Sequence, residues 1–124
     1  MHNLEHQPHM RILIIEDEPM IALDLQDLLE DAGFDVVGVA GKLDKAMELI
    51  ASLQFDAAIV DANLGGLSSS PAARALVERR VPFIVLSGYS AQQQDAAFPK
   101  ALFIQKPCRP EQLINALKAI RLQQ

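Results

Sequence analysis

The chain of 124 residues contains no tryptophan, one tyrosine and one cysteine. A lone thiol, Cys108, cannot form an internal disulfide, so nothing points to a stapled, secreted scaffold. With aromatics at only 5%, the core has to be built from Leu, Ile, Val and Ala. There is no block of Lys or Arg, and the formal net charge is −5. A nucleic-acid surface needs clustered positive charge to displace counterions, so that class is excluded. The apolar runs are too short to cross a bilayer. The N-terminus, "MHNLEHQPHM", lacks the apolar stretch of a signal peptide. These absences predict a single soluble, cytoplasmic domain over residues 10–124, preceded by a disordered leader at residues 1–9. His2, His6 and His9 in that leader match no metal-ligand spacing.

Half of the residues are apolar, and they come in a rhythm. "RILIIED" is a continuous Ile-rich run, which suits a strand covered on both faces. Pro19 opens a helix whose Ile21, Leu25, Leu28, Leu29 and Ala32 share a face, and Gly33 closes it. "FDVVGVA" reads as a second strand. A second helix carries Leu43, Ala46, Leu49, Ile50 and Leu53. "FDAAIVD" is a third strand, and "ANLGGLSSS" a loop. A third helix follows, with Ser70 as N-cap and Pro71 at its first position, ending near Arg80. "VPFIVLSG" is a fourth strand, "YSAQQQDAAFPK" has room for one short helix, and "ALFIQKP" is a fifth strand. Pro110 opens the last helix, with Leu113, Ala116, Leu117 and Ile120 on one face. Five β-α units with short connections predict an α/β three-layer sandwich with a central parallel sheet and right-handed crossovers.

In open parallel sheets, ligands bind beyond the carboxyl ends of the strands. Glu16 and Asp17 follow the first strand, Asp61 ends the third, Ser87 ends the fourth and Lys106 follows the fifth. Crowded carboxylates repel one another, and raised pKa values or a bound cation relieve them. Oxygen ligands with retained waters suit Mg²⁺. With a fixed lysine charge and a hydroxyl donor alongside, the set reads as a phosphoryl-transfer site with a carboxylate nucleophile.

The strings "IIEDEP", "AAIVDANL", "VLSGY" and "IQKP", in this order and at strand ends, resemble the receiver domain of two-component response regulators from Met10 to Leu122. The resemblance implies a flavodoxin-like (βα)5 fold with strand order 2-1-3-4-5. It makes Asp61 the phosphoacceptor and gives Mg²⁺, or Mn²⁺ in its place, to Glu16, Asp17, Asp61 and the backbone carbonyl of Asn63. Ser87 would bind a phosphoryl oxygen, and Lys106 would pair with Asp61 and then with the phosphoryl group. Phe103 stands where receivers often keep a switch aromatic, and Lys106-Pro107 at the usual cis peptide.

Two departures matter. "DANLGGLSSSP" lacks the usual Met-Pro after the phosphoacceptor. "VPFIVLSGYS" is similar to the variant receivers with a Pro-Phe-x-x-x-Thr-Gly-Tyr fourth strand, with Ser in place of Thr. That variant is associated with HWE-type histidine kinases. The short span from Ser87 to Lys106 implies a short or irregular fourth helix, and Tyr89 is expected to cover the phosphoryl site and slow hydrolysis. The implied activity is phosphoacceptance from a sensor histidine kinase or a histidine phosphotransfer protein. Output would run through contacts with an unidentified protein or a phosphate-sink role, with no nucleic acid, no membrane and no separate enzymatic substrate. The alternatives are a phosphorylation-independent interaction module, an aspartate-nucleophile phosphatase and a flavin binder. The complete acid-and-lysine set argues against the first. Asn63 at the position of a general acid argues against the second, and the lack of a phosphate-cradling loop after the first strand against the third.

Overall fold

A computed structural model describes residues 9–88 and 102–122. The elements run β1 (Arg11–Ile15), α1 (Pro19–Asp31), β2 (Asp35–Ala40), α2 (Leu43–Ser52), β3 (Ala57–Asp61), β4 (Asn63–Leu64), β5 (Leu67–Ser68), α3 (Ser70–Glu78), β6 (Phe83–Ser87), β7 (Leu102–Gln105) and α4 (Pro110–Leu122). The five-stranded sheet has the order β2-β1-β3-β6-β7, with every adjacent pair parallel. This is the predicted order of a flavodoxin-like sandwich.

The reason is visible residue by residue. β3 and β6 are buried along their whole length, so apolar residues are needed on both faces and alternation disappears. Side chains of alternate residues then feed two cores. Ile12 and Ile14 join Leu25 and Leu29 of α1 and Leu113 and Leu117 of α4 on one face. Leu13 and Ile15 join Ala46 and Ile50 of α2 and Ala72, Ala73 and Leu76 of α3 on the other. In α1 the buried residues are Ala22, Leu25 and Leu29. Ala32 lies outside the core because the helix has ended: it is the C-cap, and Gly33 follows at φ +93.

Two local expectations are corrected, and a third lies outside the described residues. The stretch after Asp61 is a two-stranded antiparallel hairpin rather than a loop, pairing Asn63 with Ser68 and Leu64 with Leu67. Gly65 and Gly66 at φ +60 and +93 give the left-handed two-residue turn that matches strand twist. Ser70 is the first residue of α3 and Ser69 its N-cap, without a side-chain cap hydrogen bond. The Ser68 hydroxyl instead accepts the Ser70 N–H at 3.1 Å. Five β-α units were expected. The described residues hold four long helices, and the short one predicted over "YSAQQQDAAFPK" lies outside them.

Arg79 ties α2 to α3. Its guanidinium donates to the carbonyls of Ile50 and Leu53 at the α2 C-terminus, where a cation meets the negative end of the helix dipole. It also lies over the Phe55 ring, 5.2 Å from the centroid. Arg79→Ala should lower unfolding free energy by about 1–2 kcal/mol in urea titrations. Arg79→Lys should recover only part, because one ammonium cannot serve two carbonyls and a ring face together.

Candidate functional site

Each site residue is placed by a strand end. The Glu16 N–H donates to the Ala40 carbonyl at 2.9 Å, which extends β1 pairing by one residue and turns the acids out over the sheet edge. Asp61 is the last residue of β3 and pairs in register with Leu86. Ser87 ends β6, pairs with Gln105, and its carbonyl accepts the Lys106 N–H at 2.8 Å. The Lys106-Pro107 peptide is cis, as the resemblance implied.

These placements bring four charged residues together. Carboxylate oxygens of Glu16, Asp17 and Asp61 lie within 4.8 Å of one another. Lys106 Nζ donates to Asp61 Oδ2 at 2.9 Å and stands 3.9 Å from Glu16 Oε1. The Asn63 N–H donates to Asp61 Oδ1 at 3.1 Å, so both Asp61 oxygens are held. The Asn63 side-chain oxygen accepts the Gly66 N–H at 2.8 Å, which braces the hairpin beside the site.

The acids are not equivalent. Glu16 is 2% exposed, whereas Asp17 is half-buried. Glu16 Oε2 accepts the Glu18 N–H at 3.0 Å, so it serves the start of α1. Its Oε1 is buried and has no hydrogen-bond partner. Burial, with the nearby Asp61 charge, pushes the Glu16 carboxyl up to about 7, against the opposing pull of the Glu18 N–H and Lys106. For Lys106, burial works against the charge, but the hydrogen bond to Asp61 and the fields of Asp61, Glu16 and Asp17 outweigh it and raise its pKa. An orphaned buried carboxylate oxygen among three oxygen donors is what a hard divalent cation relieves. The residues therefore fit such an ion.

The remaining expectations divide. Ser87 is buried at the same sheet edge. Phe103 is half-buried and packs on the α2–α3 side of the sheet against the core that includes Phe83 and Val85. Glu18 is the N-cap of α1 and makes no side-chain cap hydrogen bond. Tyr89, His2 and His6 lie outside the described residues, and His9 Nδ1 stands 3.3 Å from Asp35 Oδ1. Two features went unread. Gly65 brings the hairpin to the acids, since a Cβ there would stand 3.8 Å from Asp17 Oδ2. Gly-Gly between "NL" and "LS" is a hairpin signal that could have found it. Gly41 and Lys42 follow β2, so they too lie at a carboxyl strand end.

Residues 12–118 match the family model described as the response regulator receiver domain. The phyllosphere-induced regulator PhyR of Methylorubrum extorquens is 36% identical over 103 residues, 80% of this chain and 39% of that protein. The transcriptional regulatory protein PdtaR of Mycobacterium tuberculosis is 35% identical over 81 residues, 64% of this chain and 40% of that protein. The chain thus spans about 40% of the length of these curated relatives. Among solved structures, SdrG from Sphingomonas melonis Fr1 is 38% identical with a TM-score of 0.77, covering 91% of this chain and 97% of that one.

The raised Glu16 pKa has a stability consequence. Folded Glu16 holds its proton up to about 7, the unfolded residue only to 4.5. Between these values the native state binds more protons, so metal-free stability falls as pH rises. Glu16→Gln removes the titration. In chelator-treated protein, the variant's stability relative to wild type should climb from pH 4.5 to 8, by about 1–3 kcal/mol. Parallel pH curves for the two proteins would show that burial does not hold the Glu16 proton.

Proposed function

The chain belongs to the response regulator receiver domain family, and from that premise we propose that it is a phosphoacceptor switch of a two-component phosphorelay. The observation that carries the reading is the Lys106 Nζ–Asp61 Oδ2 contact at 2.9 Å inside a cluster of three carboxylates. A family member that had lost the chemistry would have little use for a buried, partly unsatisfied acid set.

Asp61 is the nucleophile. One of its oxygens forms a bond to phosphorus while the bond from phosphorus to the donor histidine nitrogen breaks, and the nitrogen keeps the electron pair. Lys106 first holds the carboxylate in place and then pairs with the transferred phosphoryl oxygens. The Asn63 N–H orients the other carboxylate oxygen. Ser87 supplies a hydroxyl to the product, and Phe103 is the aromatic that answers Ser87 in the switch. Glu16, Asp17, Asp61 and the Asn63 carbonyl are the groups that would hold Mg²⁺, with Mn²⁺ as a substitute. When bound, that ion neutralises charge spreading over the phosphoryl oxygens. The donor is a sensor histidine kinase, of the HWE type by the fourth-strand resemblance, or a histidine phosphotransfer protein. Output passes to a protein partner whose affinity changes when Asp61 is modified. The chain acts on itself rather than on a separate substrate, and its setting is the cytoplasm.

Incubation with acetyl phosphate and Mg²⁺, read by intact mass, should add one phosphoryl group. Chelator should abolish the gain, Asp61→Asn should show none, and Lys106→Ala should react at least tenfold more slowly. A folded wild-type protein inert to acetyl phosphate and to phosphorylated kinases alike would leave the phosphorylation-independent interaction module as the reading.

A further inference from the structure

Among the described residues, two clefts border the acid cluster, one at Lys106 and one at Asp17. One is a groove of about 540 Å³ between α1 and the β7–α4 connection, walled by Ile21, Leu25, Pro107 and Cys108 and reaching Lys106. It is largely apolar, as a protein-facing surface would be. The other is a cleft of about 640 Å³ between the β2–α2 connection and the β4–β5 hairpin, lined by Asp17, Gly41, Lys42, Asp44, Gly65 and Leu67 among others. Two of its walls are glycines that pass beside the Glu16 main chain and the Asp17 carboxylate. A Cβ on Gly41 would stand 3.6 Å from the Glu16 carbonyl oxygen, and one on Gly65 would stand 3.8 Å from Asp17 Oδ2.

Lys42 is out of place as a structural residue. It is the N-cap of α2, with extended φ −134 and ψ 154 and no side-chain cap hydrogen bond. Ser, Thr, Asp or Asn would satisfy an orphan N–H there, and a cation at this end opposes the helix dipole. Lys42 forms no salt bridge with any described residue, whereas Lys45 pairs with Glu48 at 3.5 Å. A lysine that assists neither the helix nor a surface pair therefore stands in a cleft that reaches Asp17.

We infer that this cleft admits small anionic acyl phosphates to Asp61, and that Lys42 is the cation that selects for them; the inference rests on Asp61 being the phosphoacceptor. Three carboxylates repel a phosphoryl dianion, and a free ammonium in the approach offsets that repulsion and raises the encounter rate. The step it serves is balanced. An Asp61 oxygen forms the new O–P bond, the P–O bond to the acyl group breaks, and the acyl carboxylate departs with the electron pair. A phosphohistidine is delivered by docking of its whole carrier protein rather than by diffusion of a small dianion, so that route is independent of Lys42. Asp44 lines the same cleft and accepts the Lys45 N–H at 2.8 Å. Its charge acts in the opposite direction.

The test compares acetyl phosphate with a phosphorylated histidine phosphotransfer domain as donors. Lys42→Glu should slow the acetyl phosphate reaction about three- to tenfold, Lys42→Arg should restore it, and Asp44→Asn should accelerate it. All three should stay within about twofold of wild type with the protein donor. In metal-free protein, inorganic phosphate should shift the amide resonances of Gly41 to Asp44 in wild type and leave those of Lys42→Glu in place. An unchanged acetyl phosphate rate in Lys42→Glu, an equal loss on both routes, or no phosphate-dependent shifts in wild type would overturn the inference. A wild type inert to both donors is a different result: it removes the phosphoacceptor reading itself, and this inference with it.

Discussion

One ammonium among three carboxylates is the constraint on which the site depends. Lys106 stands 2.9 Å from Asp61 and 3.9 Å from Glu16. Two carboxylates 4.8 Å apart, the outer limit of the cluster, repel each other by roughly 3–4 kcal/mol at an effective dielectric of about 20. One lysine against three carboxylates leaves two formal negative charges, and burial makes that excess costly without a compensating change elsewhere. In the metal-free protein the change is a proton on Glu16, whose pKa burial carries to about 7. A divalent ion would supply the same compensation without the proton.

The sheet keeps that imbalance from dispersing. Ile12 to Ile15, Ala57 to Val60 and Phe83 to Leu86 are all buried, and the β1–β3 and β3–β6 registers are unbroken over the pairs they form. Asp61 cannot retreat from Glu16 without dragging apolar residues out of two cores at once. Burying such side chains is worth about 1.5–3 kcal/mol each, which exceeds what relief of one carboxylate contact would return.

This division explains what could be read from the chain alone. A fully buried parallel strand has one signature, a short unbroken apolar run, and its polar C-terminal neighbour is then a site residue by topology. The gathering of Glu16, Asp17, Asp61, Ser87 and Lys106 at one sheet edge was legible for that reason. The asymmetry between Glu16 and Asp17 was not, because adjacent acids look alike until the backbone decides which one faces the Glu18 N–H. The β4–β5 hairpin hid behind a glycine pair that also reads as a loose loop. The register shift in the β1–β2 pairing between Ile12 and Leu13 falls beside Gly38, and a lone glycine inside a strand run marks a bulge without fixing which partner residue it displaces.

Helix capping follows from the same topology. In a parallel α/β sheet every helix that follows a strand starts at the edge where the site lies, so cap positions and site positions compete for the same residues. α1, α2 and α3 all begin without a side-chain cap hydrogen bond. The carboxylate that could have capped α1 is Glu16, which gives one oxygen to the Glu18 N–H and keeps the other unpaired among the acids. At α2 the position is held by a lysine, and at α3 by Ser69, whose buried hydroxyl has no partner. Uncapped helix starts weaken helices by roughly 0.5–2 kcal/mol each. Helix stability must therefore come from packing, through Leu25 and Leu29, Ala46 and Ile50, and Leu76. The helix faces therefore hold these elements to the sheet, with Arg79 at the α2 C-terminus as the one end contact described above that adds to them.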